Sequence, residues 1–112
     1  MKHLIDPREA RFILAPNFPS LGRWDGHHLW LRAEVCGMPH VALFVALHEL
    51  GHANCGHNET NRPSGWELQA ARETEATEWA IAYMVENVEA LVERFGDEVV
   101  SKAFDYAQEA TP

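Results

Sequence analysis

Apolar and polar side chains alternate around residue 30. Leu29, Leu31 and Ala33 fall on one side and His28, Trp30 and Arg32 on the other, a period of two that predicts a half-buried strand. Asp25-Gly26 just before it predicts a two-residue hairpin turn, because glycine tolerates the positive φ such a turn needs. Pro7, Pro16, Pro19, Gly22, Gly26, Gly37 and Pro39 punctuate the first forty residues, so the elements there are short. Arg11 to Ala15 reads equally as another strand or as the end of a helix begun near Pro7. From Pro39 to Cys55 the spacing turns helical. Pro39 suits a first turn, where its missing N–H is not needed, and Gly56 is the stop signal. A polar loop spans His57 to Gly65. Ser64 and Glu67 have the spacing of a capping box opening a second helix, which runs to Phe95 unless it breaks near Asn87. Asp97 then caps a last helix ending near Glu109. The expectation is one α+β domain over residues 1–112, with a short antiparallel sheet packed on two adjacent helices.

Composition narrows the class. The 112 residues (12.7 kDa) are 46% hydrophobic and 23% charged, the balance of a globular domain rather than a disordered or repetitive chain. The longest apolar run, Val41 to Leu47, is far short of the roughly 20 residues of a membrane span. Asp6 and Pro7 interrupt the N-terminal region where a signal peptide would carry its apolar stretch. Two cysteines, Cys36 and Cys55, are too few for a disulfide framework and fit a reducing cytoplasm. Nine basic against seventeen acidic residues give a net charge of −8. With no basic patch to neutralise phosphates, direct nucleic-acid binding is not expected.

The chemistry concentrates at His48-Glu49-Leu50-Gly51-His52. Side chains four apart on a helix leave the same face, so His48 and His52 are spaced to grip one zinc ion. Glu49 lies about 100° round the helix, too far to chelate with them and suited to take a proton from the attacking water. Shuffling this composition yields such a motif in roughly one sequence in twenty, so a third ligand is the deciding requirement. Glu73 supplies one. Taking it as the origin on the second helix, Ala76, Thr77, Ala80, Met84, Val88, Leu91, Phe95 and Trp66 fall within about 60° of it. Glu75, Glu78, Glu86, Glu89 and Glu93 cluster opposite, as a solvated face. Glu73 is the carboxylate on the apolar stripe, where an unpaired charge costs several kcal/mol; metal coordination is one way to remove the cost, and reaching solvent from the helix end or pairing with an arginine is the other. Thr77, one turn on, either orients a ligand histidine or is a small core-facing residue. His57 and Cys55 are alternative ligands from beyond the first helix. Tyr83 is either a packed aromatic or an oxyanion stabiliser. His27, His28 and His40 read as surface or strand-pairing residues.

Val45-Ala46-Leu47-His48-Glu49-Leu50-Gly51-His52-Ala53, then Gly56-His57, then Glu73-Thr74-Glu75-Ala76-Thr77-Glu78-Trp79-Ala80 resembles the ImmA/IrrE metallopeptidases, whose HELGH helix is followed by E-x-x-A-(D/N)-x-(F/W)-A. The resemblance covers roughly residues 22–85. It implies a zincin-like fold, Zn2+ held by His48, His52 and Glu73, and Glu49 as catalytic base. It also implies that the strand near His28 to Arg32 is the one that precedes the active helix and pairs with extended substrate. Thr77 stands where the family has Asp or Asn, the spacing between the motifs is short, and any helix-turn-helix or sensory partner would come from another chain. The implied function is a zinc endopeptidase acting on a protein substrate such as a helix-turn-helix transcriptional repressor. The alternative is a non-enzymatic zincin-like module that binds a partner protein, with Trp24 and Trp30 in its interface and a structural or vestigial metal.

Overall fold

The computed structural model describes Pro7, residues 10–57 and residues 64–110. Three strands come first: β1 (Phe12–Ala15), β2 (Gly22–Trp24) and β3 (Leu29–Arg32). A 3₁₀ helix over Ala33–Gly37 then leads into α1 (Pro39–Asn54), followed by α2 (Trp66–Glu86), α3 (Val88–Phe95) and α4 (Asp97–Ala110). The chain is α+β, as expected. No helix among the described residues is long and apolar enough to cross a membrane.

The sheet is mixed, which corrects the expected antiparallel one. Its order is β1-β3-β2, with β1 parallel to β3 and β2 antiparallel to it. Arg11 to Ala15 resolves as strand: Phe12 pairs with Leu29 and Ala15 with Arg32. Leu29 and Leu31 are buried while Trp30 and Arg32 are half-buried, so the alternation read from sequence holds. The hairpin loop has four residues, not two, because Trp24 pairs with Leu29. Gly26 sits in it at φ 97°, while Asp25 organises the rest. Its Oδ1 accepts the His27 and His28 amides at 2.7 and 2.6 Å, and its Oδ2 accepts the Trp30 indole N–H at 2.9 Å. Trp30 also stacks on Phe18, with centroids 5.4 Å apart, so it is not the exposed residue an interface was expected to use.

Helix α1 is the hub. It packs against α2, α4, the 3₁₀ helix, β2 and β3, and it is apolar on nearly every face, as a helix covered on all sides must be. Val41, Phe44, Val45, Leu47 and Leu50 meet Leu29, Leu31 and Val35 on one side and Met84, Val100, Ala103 and Ala107 on the others. Pro39 stands in its first turn as predicted. Its end is a Schellman motif: the His57 amide donates to the His52 carbonyl and the Gly56 amide to Ala53, with Gly56 at φ 78°.

The second helix departs from expectation in its first turn and breaks near Asn87, one of the two readings of the sequence. It begins at Trp66 with Gly65 as its N-cap and no side-chain cap, so the Ser64/Glu67 box does not form. It ends at Glu86, where the Asn87 side chain donates to the Tyr83 carbonyl and the chain restarts as α3. Trp66, expected on the buried stripe, is 79% exposed because the first turn of α2 lies beyond α1. Asp97 opens α4 from inside the helix, and the carbonyl of the preceding Gly96 accepts the Val100 amide.

α1 and α2 touch through their backbones at one point. A Cβ placed on Gly51 would lie 2.6 Å from the carbonyl oxygen of Ala76, which is itself fully buried. Gly51→Ala would gain about 1 kcal/mol of helix propensity, yet the backbone clash outweighs it. The expected result is a loss of roughly 1–3 kcal/mol in thermal or urea unfolding.

Acid titration checks the hairpin. Burial alone would raise the Asp25 carboxyl, but the Trp30 indole and the His28 and His27 amides outweigh it and lower the pKa to about 2 from 3.8. Because the folded value is depressed, the stability this group contributes is fully present above about pH 4 and lost as pH falls towards 2. The stability difference between the native chain and Asp25→Ala is therefore expected to be constant near neutrality and to shrink across that window.

Candidate metal centre

Two of the three predicted ligands leave α1 one turn apart and the third comes from α2. His48 Nε2 lies 3.2 Å from Glu73 Oε1, His52 Nε2 lies 2.9 Å from Glu73 Oε2, and the two Nε2 atoms are 3.2 Å apart. Bonds of roughly 2.0–2.1 Å at tetrahedral angles put neighbouring donor atoms about 3.3 Å apart, so this trio has the spacing of three ligands around one small cation. The donor set, two imidazoles and a carboxylate, is one that divalent transition metals take. His48, His52 and Glu73 are thus a group able to hold a metal ion. Burial raises the Glu73 carboxyl, but its contacts with the His48 and His52 rings more than offset it and hold the group well below its usual range. It is ionised, as a ligand must be.

Glu49 sits beside the trio and outside it. Its side chain is 8% exposed, wedged where β2 crosses α1. A Cβ on Gly22 would come 3.1 Å from the Glu49 Cγ and 2.7 Å from a Val45 methyl, so this approach also requires glycine. Burial raises the Glu49 pKa; the neighbouring His48 and His52 rings and a hydrogen bond from the Trp24 amide oppose that without cancelling it. The result is a carboxylate with increased proton affinity next to the centre.

The supporting residues divide by histidine. His48 Nδ1 is 3.1 Å from the hydroxyl of buried Thr77, so the position expected to orient a ligand does touch one. His52 Nδ1 is 2.9 Å from His57 Nδ1, and His57 Nε2 is 2.7 Å from Glu75 Oε1. His57 therefore lies behind His52 instead of joining the trio. Cys55, His57 and Glu75 form a separate group of metal-ligating types. Reading Glu75 as part of the solvated face missed this contact, because the Schellman turn that swings His57 back towards α2 is not encoded in helical register.

Two clefts meet at the centre. One, of about 330 Å³, is the more polar of the two and includes Arg23, Trp24, Gln69 and Arg72 along with Glu49 and Glu73. The other, of about 460 Å³, is mostly apolar and includes Leu21, Phe44, Tyr106 and Ala70 together with His48 and Glu49. Tyr83 lines neither; it stacks on Trp79 at 5.7 Å, as a packed aromatic. The phenol lining the same cleft as His48 is Tyr106 from α4, which packs on Phe44 and which no local sequence signal pairs with residue 48. The strand bordering the more polar cleft is β2, at the sheet's edge. β3, the strand expected to pair with substrate, lies between β1 and β2 and has both edges occupied.

No family model, curated protein or solved structure matches the chain.

Thr77→Val removes the hydroxyl beside His48 while keeping the side chain's shape. Losing such a support costs roughly 10–100-fold in metal affinity in known sites. The same loss is expected here, read by competition with a chelator.

Proposed function

We propose that this chain is a zinc-dependent peptide hydrolase with a zincin-like fold, in which His48, His52 and Glu73 hold the metal and Glu49 is the general base. One observation carries the reading: two imidazole nitrogens and a carboxylate converge at ligand spacing with a buried, proton-seeking carboxylate at their side. When bound, zinc would supply Lewis acidity that polarises a scissile carbonyl and makes a neighbouring water easier to deprotonate.

The remaining work falls to the protein. Glu49 accepts the proton of the attacking water, and its raised pKa lets it return that proton to the departing amine. The Trp24 amide fixes one side of the Glu49 carboxyl, so its orientation is set before substrate arrives. The clefts on either side of the centre, one more polar and one mostly apolar, offer room for residues flanking a scissile bond. The edge strand β2 offers backbone groups to an extended chain, as in β-augmentation. Of these, the Gly22 carbonyl already accepts the Ser20 hydroxyl at 2.9 Å. The resemblance to ImmA/IrrE metallopeptidases supports a protein substrate such as a helix-turn-helix repressor, in a cytoplasm where Cys36 and Cys55 stay reduced.

Elemental analysis of protein purified without chelators is expected to give about one zinc per chain. Glu49→Gln should keep that zinc while lowering the hydrolysis of a quenched-fluorophore peptide pool by roughly 10²–10⁴-fold. Zinc binding without hydrolysis in the native chain would favour a partner-binding module, and loss of zinc in the variant would make Glu49 structural.

A further inference from the structure

The contacts behind His52 allow few placements of protons. His57 Nε2 lies 2.7 Å from the Glu75 carboxylate, which only accepts, so Nε2 carries the hydrogen. A neutral His57 then has its lone pair on Nδ1. That atom is 2.9 Å from His52 Nδ1, so the hydrogen between the two rings belongs to His52. A neutral His52 is left with its lone pair on Nε2, facing His48 Nε2 and Glu73. At that point two acceptors, His52 Nε2 and Glu73 Oε2, stand 2.9 Å apart, and only a positive charge between them, a proton or a metal cation, makes the contact favourable.

We infer that Glu75, His57 and His52 form a proton-ordering chain, in which Glu75 and His57 are positioning residues that keep the ligating lone pair of His52 on Nε2. This rests on the proposed metal centre and adds what holds one of its ligands ready. A free histidine side chain favours the Nε2–H tautomer, so the chain works against an intrinsic preference. His57 is buried enough to matter, with a side chain 13% exposed, and the Schellman turn at Gly56 fixes its place. On the other side of the centre the Thr77 hydroxyl either donates or accepts and imposes no tautomer on His48.

The same placement decides the fate of the neighbouring Cys55, His57 and Glu75 group. A cation there would need the Nε2 lone pair of His57, hence a proton on its Nδ1. His52 would then accept at Nδ1 and carry its hydrogen on Nε2, unable to bind the first cation. The two groups therefore exclude each other, and one chain takes one ion.

Two measurements on the full chain test this. In metal-free protein at pH 8, two-bond 1H–15N NMR correlations should show His52 protonated at Nδ1 and His57 at Nε2, and Glu75→Leu should return His52 to the common Nε2–H form. In zinc titrations against a chelator, Glu75→Leu and His57→Phe should weaken binding by roughly 10–100-fold. His57→Gln, whose amide oxygen accepts the same hydrogen bond, should recover most of that loss. Cys55→Ser should change nothing, and saturation should come at one zinc per chain. The inference is overturned by a His52 Nδ1 that carries no proton in the native chain, by unchanged affinity in both disrupting variants, by a second zinc, or by weakened binding in Cys55→Ser. A native chain that takes up no zinc would end the metal reading, and the tautomers would still decide the proton-ordering chain by themselves.

Discussion

Glu73 reaches His48 and His52 because α2 crosses α1 with the two backbones almost in contact, and that contact exists because residue 51 has no side chain. The Ala76 carbonyl occupies the space a Gly51 Cβ would take. Moving α2 outward by even the width of a methyl group would carry Glu73 and Thr77 with it, since both lie within one turn of the crossing. Two of the residues that meet the histidines are thus placed by a single glycine. A second glycine acts alike on the opposite flank: Gly22 lets β2 lie against Val45 and Glu49, bringing the Trp24 amide to the Glu49 carboxyl. Close approach at two glycines, of backbone to backbone at Gly51 and of backbone to side chain at Gly22, gives the centre its shape more than any one polar contact.

That constraint explains why α1 is apolar on almost every side and yet carries four polar groups that are buried or nearly so. A helix wrapped by a sheet, α2 and α4 has few solvent-facing positions, so His48, Glu49, His52 and Asn54 must each find compensation within the fold. The histidines find it in Glu73, Thr77 and His57. Glu49 finds less of it, and its raised proton affinity is the residue of that shortfall. What raises the cost of the folded state here is also what fits the group to accept a proton. Functional sites are where such uncompensated polarity is retained.

The parts of this arrangement legible in the sequence are those set by local periodicity. His48, His52, Glu73 and Thr77 were found by helical register, and all four meet in space. The strand at Leu29–Arg32, the start of α1 at Pro39 and its stop at Gly56 follow from alternation and from the backbone preferences of proline and glycine. The misreadings share a cause: each needed knowledge of what lies across the fold. Strand direction in the sheet depends on the path taken by residues 16–28, and nothing local in Phe12–Ala15 says parallel. Trp66 has the register of the buried stripe, but register does not say how far along α2 the neighbouring helix extends. Glu75 has the register of the solvated face and is indeed exposed, yet a turn nine residues before α2 places an imidazole against it.

His57 is the residue for which this distinction matters most. By sequence it is a spare histidine beyond a helix stop, eligible as a third ligand. By structure the stop itself assigns it. The 6→1 hydrogen bond of the Schellman motif runs from the His57 amide to the His52 carbonyl, so the backbone that ends α1 also sets His57 beside the ligand whose carbonyl it uses. A capping motif, ordinarily only a way of satisfying the last carbonyls of a helix, here delivers a side chain to the back of the metal-facing imidazole. Glu73 needs a glycine in mid-helix to be reached, and His57 needs one at the helix end. Both glycines act through the backbone, one by admitting a neighbour and the other by adopting a positive φ, and each puts one partner on His52. The two partners are not equivalent. Glu73 addresses Nε2 and shares the face a cation would occupy, whereas His57 addresses Nδ1 and governs which nitrogen is free to ligate. The centre is built by coupling a helix crossing to a helix termination through one imidazole ring.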